Sequence, residues 1–215
     1  MEMIIAMTIA GILAAIAIPN FSAAISNNQL TAYSNQFITA INLARSEAIK
    51  RGTKVTILRE ANTPKGQALA SKDWRGGWKV FVDIDSLPAG NTISVFKDDG
   101  DTNICEIDPV AGTPIEDCVL RIFPALPDGF TFWSKERFKD AIIYNAIGKS
   151  VSSMGAPNNG TLIMCDGKRT AEEQKISAKP IIISTAGRAR IGVDNADADS
   201  IPNISDAANI DGCIP

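Results

Sequence analysis

Hydrophobic positions divide this chain into one long helix followed by a series of short strands. From Met3 to Ile18 nearly every residue is apolar, with only Thr8 and Gly11 interrupting. About 16 such residues at ~1.5 Å rise extend roughly 24 Å, slightly less than a ~30 Å hydrocarbon core. No basic region precedes the run and no small-residue cleavage site follows it, so it does not read as a removable secretory signal. Pro19 comes next and predicts a kink, because it removes one helical hydrogen bond. From Ser22 to Arg51 the pattern turns amphipathic, with Leu30, Tyr33, Phe37, Ile41, Ala44 and Ala48 recurring along one stripe. Arg45, Lys50 and Arg51 suit the negative end of the helix dipole, and Gly52 suits the cap. One helix of about 50 residues, roughly 75 Å long, is expected. Its first half (1–21) would span lipid and its second half (22–52) would lie on a folded domain.

After Gly52 the period changes to two. Thr53–Arg59 is a strand candidate, and Trp78, Val80 and Val82 alternate on one face of a stronger one ending at Asp83. Ile93–Phe96, Val119–Phe123, Phe130–Trp133, Ile142–Ile147, Thr161–Cys165, Lys179–Ser184 and Arg188–Val193 complete the set. Many short strands after one long helix predict an α+β fold, with antiparallel sheet packed on the helix and residues 53–193 as the globular domain. No internal repeat is apparent. Residues 194–215 form an acidic tail that holds Asp194, Asp197, Asp199, Asp206 and Asp211 and neither Lys nor Arg.

Composition narrows the chemistry. The chain of 215 residues carries a net charge of −3, so any site for a polyanion must be local. Histidine is absent, which removes His-based catalysis and His metal ligation. Cys105, Cys118, Cys165 and Cys213 contain no CxxC pair and read as two disulfides in an oxidising compartment. Of the three possible pairings, Cys105–Cys118 would close a loop rich in Pro and Asp, and Cys165–Cys213 would tie down the tail. Asp83, Asp85, Asp98, Asp99 and Asp101 miss the calcium-loop spacing and read as turn residues, so no metal or cofactor is expected. Trp74 and Trp78 read as core or rim. No nucleophile motif or phosphate-cradling glycine loop appears, and an enzyme is not expected.

The most informative short motif is Gly187-Arg188-Ala189-Arg190. Gly187 supplies a turn, and residues two apart on a strand project to one side. Arg188 and Arg190 would therefore present two guanidinium groups about 6–7 Å apart, comparable with adjacent phosphates on one strand. Guanidinium forks grip phosphate oxygens at two points. The plain alternative is a hairpin with two solvated arginines. Lys168, Arg169 and Lys179 are near enough in the chain to extend such a patch, whereas the tail aspartates would oppose it.

The apolar run with its single acid, EMIIAMTIAGILAAIAIPNF, resembles the N-terminal helix of type IV pilins and pseudopilins. The resemblance implies that Glu2 meets the N-terminal amine of a neighbouring subunit, a pairing that relieves the cost of both charges in lipid. The family's basic leader ending in Gly and the few apolar residues before the glutamate are not in this sequence. A mis-assigned start or a trimmed sequence would account for that. Leu43–Gly52, Gly77–Asp83, Tyr144–Gly148, Gly160–Cys165 and Gly187–Arg190 together resemble the FimT–GspH branch of minor pilins and pseudopilins. Residues Pro88 to Asp117 do not match it and read as an insertion.

In FimT-like members a Gly-Arg-x-Arg motif is implicated in binding DNA during natural transformation, and Arg188 and Arg190 are the matching positions. The resemblance then implies a filament subunit of the inner membrane with a periplasmic domain, later part of an extracellular pilus. Its partners would be other pilin subunits, DNA, and the prepilin peptidase acting on a precursor. A GspH-like pseudopilin of type II secretion, without DNA binding, is the rival expectation. A calcium-binding adhesive tip is a third.

Overall fold

A computed structural model describes residues 2–83, 96, 117–134, 137–166 and 178–192, the side chains of residues 2, 10 and 14–23 excepted. Helix α1 (Glu2–Arg51) is a single element of 50 residues, and Pro19 lies inside it rather than ending it. Gly52 closes it by donating its N–H to the Ala48 carbonyl at 3.0 Å. The amphipathic stripe packs as its spacing predicts. Leu30, Phe37, Ile41, Ala44 and Ala48 are fully buried, with Ser34 and Ala40 buried beside them.

Nine strands follow among the described residues: β1 (Lys54–Arg59), β2 (Trp78–Asp83), β3 (Cys118–Phe123), β4 (Phe130–Ser134), β5 (Ala141–Tyr144), β6 (Ser150–Val151), β7 (Gly160–Asp166), β8 (Ala178–Ile183) and β9 (Ala189–Ile191). They form two antiparallel sheets, ordered β3-β2-β1-β5-β6 and β4-β7-β8-β9. Both sheets turn one face to the second half of α1. Val55, Ile57, Val80 and Ile142 come from the first sheet, and Phe132, Leu162, Met164 and Ile181 from the second. Phe37 sits where they converge, edge-on to Trp74, Trp78 and Phe132 with ring centroids 5.7, 4.9 and 4.7 Å away. Both tryptophans are thus core residues, and Trp74 donates its indole N–H to the Phe138 carbonyl at 3.1 Å. The fold is α+β with a helical spine, as the change of hydrophobic period predicts.

Several boundaries differ from the sequence reading, each for a local reason. The strand expected over Ile142–Ile147 stops at Tyr144, because Asn145–Lys149 closes a turn and leaves Ile147 67% exposed. The last strand covers Ala189–Ile191 rather than Arg188–Val193. Strand β6 has two residues, too few to show a period. On β2 the predicted face is buried, but Phe81 on the opposite face is buried too. Phe96, in no strand, lies edge-on to it at 5.1 Å, and the Lys79 ammonium sits 4.4 Å from the same ring. The remainder of Ile93–Phe96, the other insertion residues except the buried Asp117, and the tail 194–215 lie outside the described residues.

Among the described residues no helix is long and apolar enough to cross a membrane. The described side chains at the start of α1 are nevertheless bare: Met3, Ile4, Ile5, Met7, Ile9, Ile12 and Leu13 are 53–80% exposed.

Candidate nucleic-acid interface

Strands β8 and β9 are joined by the tightest connection near the arginines. The N–H of Gly187 donates to the Ser184 carbonyl at 2.8 Å, and the N–H of Ser184 donates to the Arg188 carbonyl at 3.0 Å. Three residues thus bridge the strands, and the third, Gly187, takes the left-handed conformation (φ +75°) that ends this kind of hairpin loop. The Arg188 N–H also donates to the Ser184 hydroxyl oxygen at 3.3 Å.

Gly187 does more than turn the chain. A Cβ there would run into the Gly148 carbonyl and would lie 2.8 Å from the Tyr144 ring. Gly148 occupies the turn between β5 and β6, so the hairpin tips of the two sheets touch through two residues that lack side chains. Tyr144 donates its buried hydroxyl to the Gly187 carbonyl at 3.3 Å. Burial pushes the Tyr144 phenol well above its ordinary range, and the nearby Arg45 charge offsets only part of that, so it stays a neutral donor. Arg45, in the last turns of α1, donates from Nε to the Gly148 carbonyl at 3.0 Å.

On this base, Arg188 and Arg190 are both exposed, while Ala189 between them packs against the core. Arg190 lies opposite Ile182 and Ala189 opposite Ile183, which puts the two arginines on the face turned away from α1. Neither forms an ion pair with a described residue. Lys179 is placed differently. It pairs with Met164 and shares the parity of Ile181 and Ile183, the core face of β8, so it does not join the arginines. Lys168 and Arg169 lie outside the described residues, as do the Glu2 side chain, Cys105 and Cys213. Cys118 and Cys165 are buried, and neither is a free thiol. Among the aspartates weighed for calcium, only Asp83 is described; it is buried and accepts from the Thr56 hydroxyl at 3.5 Å.

The groups that sequence reasoning missed are Arg45, Tyr144 and Gly148. Tyr144 and Gly148 stand in a block that resembles the family, but nothing in the sequence brings that block to Gly187.

A long helix whose second half carries two antiparallel sheets, and whose described apolar side chains near its start are bare, defines a pilin-type subunit. The profile of the Type II transport protein GspH family matches residues 34–187, and the chain belongs to that family of minor pilins and pseudopilins. Two crystal forms of the type IV minor pilin FimU from Pseudomonas aeruginosa (strain PAO1) are similar in structure at 18% identity. One has a TM-score of 0.48 and covers 78% of this chain and 90% of FimU. The other has a TM-score of 0.45 and covers 76% and 92%. No curated protein matches the chain significantly.

Proposed function

We propose that this chain is a minor type IV pilin that binds DNA without sequence preference and supports pilus assembly. The observation that carries the DNA reading is the pair Arg188 and Arg190, exposed on one face beside a braced hairpin and without a described carboxylate partner. Two guanidinium groups spaced along an extended segment suit successive phosphates and read no base edges. With few contacts the salt dependence is shallow, about −0.9 in log–log slope per phosphate on duplex DNA.

The bare apolar start of α1 supports the rest of the reading. It anchors the subunit in the inner membrane with the globular domain in the periplasm, and packs against neighbouring pilin helices once the filament extends outside the cell. Glu2 pairs with an adjoining subunit's amine during assembly, after prepilin peptidase has acted on a precursor. Cys118 and Cys165 pair with Cys105 and Cys213 respectively. The role is structural, in line with the family of filament subunits to which the chain belongs.

The second reading, a pseudopilin of type II secretion that binds no DNA, is favoured by the name of the matched family. Binding of labelled duplex DNA to the full chain in detergent separates the two. The double variant R188A/R190A is expected to lose most binding at low salt. Equal binding by variant and wild type removes DNA from the proposal and leaves the secretion reading.

A further inference from the structure

The turn that presents Arg188 has counterparts elsewhere in the chain. In Thr63–Gln67, Asn145–Lys149, Ser152–Ala156 and Ser184–Arg188, the first residue's N–H donates to the fifth residue's carbonyl at 2.8–3.1 Å. In each, the N–H of the fourth residue, always glycine, donates to the first residue's carbonyl at 2.8–2.9 Å. Those glycines, Gly66, Gly148, Gly155 and Gly187, all have φ between +73° and +79°. The sequence shows no repeat because the four turns are unevenly spaced and share only a polar first residue and the glycine.

The fifth residue differs: Gln67, Lys149, Ala156 and Arg188. Only the turns ending in Lys149 and Arg188 are pressed together through their glycines. A Cβ on Gly66 or Gly155 would meet nothing within 4 Å, whereas one on Gly187 would strike Gly148. The cation-bearing pair is therefore the joined pair. Lys149 and Arg188 each follow a contacting glycine, so both exposed side chains start from adjacent points of the surface. Each turn is also fixed from within. Asn145 Oδ1 accepts the N–H of Ile147 at 3.2 Å and of Lys149 at 2.9 Å, matching what the Ser184 hydroxyl does for Arg188.

Glu47, the acid on the adjoining end of α1, is engaged by Arg51 at 2.7 Å and Lys50 at 3.7 Å. Lys149, like the two arginines, has no described carboxylate partner.

We infer that the β5–β6 and β8–β9 turns form one composite site for a phosphate backbone, with Lys149 as its third cation beside Arg188 and Arg190. This rests on the DNA reading above and changes its footprint: the site spans both sheets, and Lys179 is not part of it. Lysine at one tip and arginine at the other hold a strand at points on two separate elements, which a single hairpin does not do.

The test measures affinity of the full chain in detergent for a labelled duplex across a salt series, with K149A, K179A and R188A/R190A compared at matched thermal stability. Expected for K149A is a several-fold loss at low salt and a log–log salt slope shallower by about one contact. Expected for K179A is wild-type behaviour. If R188A/R190A is impaired and K149A binds like wild type, the composite site is overturned while the DNA reading stands. Equal losses in K149A and K179A also overturn it, because net charge alone then accounts for both. Unchanged binding by R188A/R190A overturns the DNA reading and the composite site with it.

Discussion

Asp73 illustrates how one residue sets a measurable property of this fold. It is 1% exposed, accepts the Arg75 N–H at 3.1 Å, and faces the Arg75 Nε at 3.0 Å. Desolvation outweighs these contacts and raises its carboxyl above the ordinary aspartate value. A raised acid pKa means that the folded state binds the proton more tightly than the unfolded chain. The stability tied to Asp73 therefore grows as pH falls through that raised value and is lost as pH rises. D73N, which mimics the protonated form, is expected to melt higher than wild type near pH 7. The gap should narrow toward about pH 4 as wild type takes up its proton. Thermal melts of the two proteins across that range check it, and a gap that widens on acidification contradicts the assignment.

Among elements, the paired turns carry the sharpest structural claim. G187A combines a left-handed strain of about 1–2 kcal/mol with a collision against the Gly148 backbone, so a loss of more than about 2 kcal/mol is expected by denaturant titration. G155A shares the strain but meets open space, and should cost less. What was legible in the sequence follows the same division between local and distant. The stripe from Leu30 to Ala48 and the alternation of Trp78, Val80 and Val82 are local periods, and both stand as the core. Gly187 and the two arginines were visible as a turn followed by a strand. That Gly148 would meet Gly187 was not, because the contact joins hairpins of different sheets and no period records it. Strand β6 escaped for a simpler reason, since two residues have no alternation to read. Phe81 misled the two-face rule because Phe96, 15 positions away, covers it.

At the scale of the molecule, the described parts of one helix differ in burial. Its second half is a core element from Leu30 onward, while the described side chains of its first half touch little of their own chain. The full chain is therefore expected to need detergent, and a version lacking residues 1–25 to stay monomeric without it, because the buried stripe begins only at Leu30. Sedimentation of both after detergent removal is the check; a full-length chain that remains monomeric in plain buffer contradicts the anchored reading.

The braced tips have a mechanical consequence. Arg45 holds the Gly148 carbonyl, and the Ile49 side chain fills the space that a Cβ on Gly148 would need. Both contacts start on α1, so the Gly148 tip, and Gly187 packed on it, are tied to the helix directly. On the proposed reading, DNA held at those tips pulls on α1 directly.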